Sequence, residues 1–259
     1  YRSRTADFDT TGTRIATVDG QTTSYTDTTV EASSAYFYRV AALDNDGILS
    51  SPTSALSAIL QPETVPMNVS LSFGEGTQQE NYRLVALPGQ VSRDLGATFE
   101  GEAGAAWQAY WDNGTSSDFL VSFEVSSTFQ FKPGRGFWAI SESAWSVEDS
   151  FPTVSLNQGT VGPVAVIDLH DGWNIISNPL GKAVSWARVA EANGETLQPL
   201  WRFNGTFSRT STFASASSGE AFYFNNRSEL RRLQIPFVSS PTSSSSKATE
   251  APDLLSLTA

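Results

Sequence analysis

The chain of 259 residues has no cysteine, one methionine and a single histidine, His170. Without thiols there is no disulfide framework and no thiolate metal site, and one imidazole cannot make a histidine cluster for a metal. Basic residues are scarce as well: 16 Lys and Arg face 27 Asp and Glu, a formal net charge of −11. Arg231-Arg232 is the strongest basic cluster, which makes nucleic acid and anionic membrane surfaces poor partners, since both reward runs of Lys and Arg; no nucleic acid partner and no membrane insertion are expected. No stretch approaches the roughly 18 consecutive apolar residues of a membrane-spanning helix. No signal peptide precedes Tyr1-Arg2-Ser3-Arg4, which reads as the interior of a strand. The expectation is a fragment of a longer, modular protein.

What the chain does contain is a duplication. Tyr82-Arg83-Leu84-Val85-Ala86-Leu87-Pro88 recurs as Trp173-Asn174-Ile175-Ile176-Ser177-Asn178-Pro179. Ala109-Tyr110-Trp111-Asp112-Asn113-Gly114 recurs as Leu200-Trp201-Arg202-Phe203-Asn204-Gly205, and Gly134-Arg135-Gly136-Phe137-Trp138 as Gly219-Glu220-Ala221-Phe222-Tyr223. What repeats is aromatic and apolar material with turn glycines, which marks a packing unit rather than a set of reactive side chains. The fold expected is mainly β, with a duplicated β-rich domain over 67–238. Repeat one covers about 75–150 and repeat two about 164–238. Each copy reads as strand, short helix, hairpin around Asn-Gly, strand. Ser185 is placed to cap a helix over Trp186–Ala192 that Gly194 ends, and Ser92 to cap a weaker turn carrying Leu95 and Phe99. Asn113-Gly114 and Asn204-Gly205 suit hairpin turns with both central residues at positive φ.

Residues 1–62 read as short strands between turns. In Tyr36-Phe37-Tyr38-Arg39-Val40-Ala41-Ala42, alternate residues share a face. With the Gly47 turn and Ser51-Pro52-Thr53-Ser54 after it, this segment resembles the C-terminal half of a fibronectin type III domain. The resemblance implies a truncated half-sandwich in which Tyr36 is the tyrosine-corner residue, its hydroxyl bonded back to the chain just upstream. A short proline-bounded linker over 61–66 follows. At the other end, 239–250 is a Ser/Thr/Pro-rich linker, and the residues after it, to 259, read as the start of a further segment.

A second resemblance rests on Gly172-Trp173-Asn174-x-Ile176-x-Asn178-Pro179 and Val184-Ser185-Trp186. It extends to Trp201-x-Phe203-Asn204-Gly205 and to Pro133-Gly134-Arg135-Gly136-Phe137-Trp138. These resemble a tandem β module of secreted bacterial multi-domain proteins, over about 75–238. In repeat two the pattern departs, with Gly-Glu-Ala-Phe-Tyr in place of Gly-x-Gly-Phe-Trp. The resemblance implies a bacterial extracellular or cell-surface location and no shared catalytic activity. Partners would be other domains of the same chain and possible extracellular protein or polysaccharide.

Sites for chemistry are few. His170, in Asp168-Leu169-His170-Asp171-Gly172, reads as a strand-end histidine beside two carboxylates. Glu100, Glu102, Asp112 and Glu124 could supply a glycosidase pair, but none has a distinctive neighbourhood. Asp44-Asn45-Asp46-Gly47 lacks the spacing and closing Glu of a calcium loop and reads as a turn. Four Asn-x-Ser/Thr sequons, at Asn68, Asn113, Asn204 and Asn226, matter only in a eukaryotic secretory pathway. No cofactor, metal site or catalytic residue is expected. Seven tryptophans remain. Trp138, Trp173, Trp186 and Trp201 are assigned to the core, with Tyr36 as a further structural residue. Trp111 and Trp145, in polar surroundings, are the candidates for stacking on sugars. Two functions fit this reading: a non-catalytic structural, adhesion or display module, and a carbohydrate-binding accessory region of a larger secreted hydrolase.

Overall fold

In the computed structural model, which describes residues 1–5, 7–10, 13–32, 34–194, 196–228, 230–237 and 255–258, the matched segments take matched places. Repeat one builds an antiparallel sheet in the order Arg83–Ala86, Gly136–Ser141, Trp107–Asp112, Leu120–Ser122. Repeat two builds the same sheet from Gly172–Ile176, Phe222–Asn226, Leu200–Phe203 and Phe207–Thr210. The registers agree as well. Trp138 lies opposite Leu84 on one side and Tyr110 on the other, and Tyr223 lies likewise between Ile175 and Trp201. A two-residue ladder accompanies each sheet: Arg93–Asp94 with Gln130–Phe131, and Val184–Ser185 with Thr212–Phe213.

Each repeat is closed by its first and last strands. Thr64–Leu71 pairs along its whole length with Trp145–Pro152, and Gly162–Asp168 pairs with Arg232–Pro236. The proline-bounded linker expected over 61–66 therefore ends early. Thr64, Val65 and Pro66 already belong to a strand, with Val65 and Met67 both buried. Pro66 is tolerated because, among the described residues, the strand pairs with one neighbour only and leaves its other edge free of ladder bonds.

Between these elements, repeat two forms the helix Trp186–Asn193, the one α-helix among the described residues. Ser185 caps it by accepting from the Arg188 amide, and Gly194 ends it in the left-handed conformation at φ 64°. Repeat one forms only a 3-10 turn, Leu95–Thr98, whose N-cap is Asp94 rather than Ser92 and makes no side-chain cap bond. Without a cap, and with Gly96 inside it, the segment does not extend to a full helix.

Strand alternation distributes the side chains. In repeat one, Trp107, Ala109, Phe137 and Ala139 point into a core shared with Leu95, Phe99, Phe129, Phe131, Trp145 and Phe151. Repeat two buries Leu200, Phe222 and Phe224 with Val189, Phe213, Ile167, Leu233 and Ile235. The intervening residues form a third cluster, in which Leu84, Ala86 and Trp138 of repeat one pack on Ile175, Phe203, Ala221 and Tyr223 of repeat two. Main-chain bonds cross this seam reciprocally: the Ala86 amide donates to Gly219 O (3.0 Å), and the equivalent Ser177 amide to the equivalent Gly134 O (2.9 Å). Bridges between Val85 and Glu220, and between Ile176 and Arg135, repeat the relation. The seam is an isologous interface inside one chain.

The residues Glu63–Phe237 form one compact unit, and Tyr1–Pro62 belongs to another. In the latter, Ser34–Tyr38 pairs with Arg2–Ser3 and Leu56–Leu60 around a small core of Val30, Tyr36 and Tyr38. The Tyr36 hydroxyl accepts from the Glu31 amide at 3.0 Å, five residues upstream. Asp27, fully buried, accepts from Arg2 Nη1 and Tyr38 Oη. Burial opposes its charge, but the Thr29 amide and hydroxyl, Tyr38 and Arg2 together hold its carboxyl below the usual range. The strand Leu255–Thr258 pairs antiparallel with Ser24–Asp27, so these residues add to this unit's strands. The Ser/Thr/Pro-rich linker expected over 239–250 lies outside the described residues. No helix among the described residues is long and apolar enough to cross a membrane.

Candidate functional site, an aromatic groove on the seam

The equivalent rings of the two repeats meet in one place. Tyr82 and Trp173 are matched in the duplication, as are Tyr110 and Trp201, and Trp138 and Tyr223. All six line a single groove of about 970 Å³ together with Phe119, Leu120 and Phe207. The polar lining is Thr77, Gln79, Thr115, Ser116 and Asp112. The geometry follows from period-two alternation: residues that do not face their own repeat's core face the other repeat, and the larger ones leave a gap between them. The volume is that of sites for drug-sized ligands.

Most of the rings stand at steep angles to one another. Tyr82 meets Trp138 at 85°, Phe207 meets Trp138 at 86° and Tyr223 at 79°, and Trp173 meets Tyr223 at 75°. Tyr82 and Tyr110 are inclined by 52°, and both hydroxyls donate to Gln108 Oε1. Below them runs a buried hydrogen-bond chain. Trp138 Nε1 donates to Tyr223 Oη (2.8 Å), and that hydroxyl donates to Asp112 Oδ2 (2.9 Å). The other carboxylate oxygen of Asp112 accepts from the Gly114 amide. Burial pushes the Asp112 carboxyl above the usual carboxylate range, against the pull of Gly114, Tyr223 and the nearby His170. Burial and the facing carboxylate push the Tyr223 phenol up, so it remains a donor.

The hairpin of repeat one is clamped to repeat two. A Cβ on Gly114, at φ 76°, would lie 2.1 Å from Asp171 O and 2.4 Å from His170 Nδ1, so only glycine fits there. The counterpart Gly205 (φ 80°) has nothing nearer than Glu80 O at 3.5 Å. Asn113 and Asn204 are not at positive φ, so neither hairpin is the expected turn with two left-handed residues. In repeat one the loop is longer, Asp112 facing Leu120, and the Asn113 side chain accepts from the Thr115 amide instead.

Several expected roles change. Trp145 is no exposed stacking ring: it is 1% exposed, inside the first core, with Nε1 donating to Thr98 Oγ1. Its alternation with Val147 and Phe151 in the strand Trp145–Pro152 accounts for this. Trp111 is half-buried against the same core, with Arg135 over its ring (5.3 Å) and His170 edge-on (5.6 Å), and does not line the groove. Trp173, expected in the core, is 41% exposed on the groove wall. Trp201 is half-buried there, and Trp138 forms part of the buried floor. Trp186 is in the core of repeat two, donating to Gln198 O. Sequence reasoning did not select Tyr82, Tyr110, Phe207 or Tyr223 as ligand-binding residues, and weighed Asp112 only as one of four carboxylates for a glycosidase pair. The signal available was the duplication itself, in which Asp112 occupies the position of Phe203.

His170 Nε2 lies 3.1 Å from Asp112 O and Nδ1 2.9 Å from Asp171 O, both main-chain carbonyls, so the ring joins the repeats rather than facing a nucleophile. Glu100, Glu102 and Glu124 are exposed and outside the groove. At Asp44 the carboxylate accepts from the Asp46 and Ile48 amides and closes a turn. Among the described residues no group of three His, Asp or Glu side chains is placed to hold a metal. Protein-family models, curated proteins and solved structures offer no match for this chain.

Proposed function

We propose that the Glu63–Phe237 unit is a non-catalytic recognition module of an extracellular or cell-surface modular bacterial protein, and that the groove on its seam holds the ligand. The observation that carries the reading is the convergence of three matched ring pairs on one open groove. A pair of repeats that served only as a spacer has no use for a solvent-facing indole, and Trp173 exposes 41% of its surface. Large exposed rings in a concave site mark recognition surfaces. The non-catalytic part is supported by how the reactive groups are spent: His170 on carbonyl oxygens, Asp112 on Tyr223 and Gly114. The location rests on the resemblance to secreted β modules and to a fibronectin type III half-domain, and adhesion or display is the role that fits it.

A carbohydrate accessory role is the second reading, supported by the Thr and Gln side chains at the rim beside exposed rings. The steep angles between those rings weigh against a flat stacking platform. The test is a panel of immobilised glycans, extracellular matrix proteins and small ligands, run with the full chain and with a Tyr110→Ala/Trp173→Ala/Trp201→Ala variant. Retention lost in the variant supports the groove. Retention equal in both, or none in either, leaves the unit as a spacer.

A further inference from the structure

The chemistry of the groove selects among ligands, a selection that rests on the reading of the groove as the ligand site. We propose that the groove receives an organic cation, a tetraalkylammonium headgroup carried on an uncharged body. The first ground is shape. A saccharide stacks on a flat ring or a coplanar pair, whereas a methylated ammonium is roughly spherical and gains from ring faces on several sides at once. Here the walls meet at 75–86° between Trp173 and Tyr223, Phe207 and Tyr223, and Tyr82 and Trp138.

The second ground is charge. The lining holds one carboxylate, Asp112, and no Lys, Arg or His, in a chain of net charge −11. The third is the hydrogen-bond chain in the floor. Trp138 Nε1–H and Tyr223 Oη–H both donate, in a line ending on the Asp112 carboxylate at 2.8 and 2.9 Å. A donor that gives its hydrogen toward a carboxylate gains electron density, and linked donors polarise one another, so both rings present a more negative face. The Trp201 ring already carries one cation of this chain, with Arg209 at 5.1 Å from its centroid. The same lining excludes zwitterionic ligands. A phosphate or carboxylate beside the ammonium would find no basic side chain among the lining residues, Arg209 being engaged on the Trp201 ring, and would approach Asp112. The headgroup fills a fraction of the 970 Å³, and the neutral body lies along Thr77, Gln79, Thr115 and Ser116.

Titration calorimetry of the full chain tests this with five probes: choline, tetramethylammonium, dimethylbutanol (the neutral isostere of choline, carbon replacing nitrogen), phosphocholine and a neutral β-glucan oligosaccharide. Choline is expected to bind about tenfold tighter than dimethylbutanol, the size of a desolvated cation–π contribution, and tighter than phosphocholine. Asp112→Asn and Tyr223→Phe should shrink the choline-to-isostere ratio at least threefold. Trp173→Ala, at an exposed position that leaves the fold intact, should weaken every probe that binds. Equal binding of choline and its isostere overturns the cation assignment, as does an unchanged ratio in a folded Asp112→Asn protein. Binding of the oligosaccharide alone also overturns it, while leaving the groove as a ligand site. Silence from all five probes overturns both.

Discussion

Repeat one and repeat two share strand order, register and reciprocal seam bonds, yet they are stabilised differently. Repeat one fills its core with rings: Phe99 stacks on Trp107 and Trp145, and Phe137 packs against Phe129 and Phe131. Repeat two uses aliphatic side chains more heavily, with Val164, Ile167, Val184, Val189, Leu233 and Ile235 all buried, and adds a capped α-helix. The seam is the reverse case. Its ring positions are aromatic in both copies, while the matched pair Asp112 and Phe203 sets a buried carboxylate against a ring. The Tyr223 hydroxyl donates a hydrogen bond to Asp112, whereas Trp138 meets Phe203 edge-on at 4.6 Å. The lesson is that a duplicated core tolerates substitution of one apolar filling for another, and that the carboxylate at Asp112 closes a hydrogen-bond chain that Phe203 cannot make.

The comparison can be broken most decisively at Phe137 and Phe222, matched residues buried to 0% and 1% in their own cores. Replacing either with Ala should cost about 3–5 kcal/mol by urea unfolding, by lost transfer energy and the cavity left behind. A large loss in one and a negligible loss in the other would mean that the copies are not equivalent units. Next come the hairpin glycines. Gly114→Ala must push against Asp171 O and His170 as well as adopt a strained φ, and should exceed the roughly 1 kcal/mol expected for Gly205→Ala from strain alone. Similar midpoints for the two variants would contradict the clamp. Third, Ser185→Ala should cost about 1 kcal/mol for the lost cap, and Ser92→Ala close to nothing, since Ser92 caps no helix.

The smallest effect is in the pH dependence of the odd position. Burial raises the Asp112 carboxyl in the folded state, so its protonated form is favoured there. The stability it contributes is full below the unfolded carboxylate value of about 3.9 and is lost as pH rises through the folded one. Asp112→Asn should therefore cost more relative to the parent at pH 3 than at pH 7 in paired thermal melts. Phe203 variants should show no such trend, and a penalty for Asp112→Asn that grows with pH would reverse the assignment.

Much of the architecture was legible in the sequence because glycines, prolines and aromatic pairs at fixed order report backbone geometry directly. The Ser185 cap, the Gly194 terminus and the paired order of the two repeats are of this kind. The groove was not legible. Alternation in Trp107–Asp112 separates Ala109 from Tyr110, but it does not say that the face carrying Tyr110 is covered by another repeat. Hence Trp173 reads as core, although it caps an opening. Trp145 reads as exposed from its Ser and Glu neighbours, although its partners two and six residues on, Val147 and Phe151, already placed it inside. Asp112 carried a signal of a different sort: a carboxylate in a position that the other copy fills with a ring.

The decisive measurement is a two-dimensional NMR record of the seven indole N–H signals while choline and the oligosaccharide are titrated in turn. A bound probe should move the signals of Trp173, Trp201 and Trp138 and leave those of Trp145 and Trp186 in place. Movement confined to Trp111 or Trp145, or seven unmoved signals with every probe, would contradict a ligand site on the seam between the repeats.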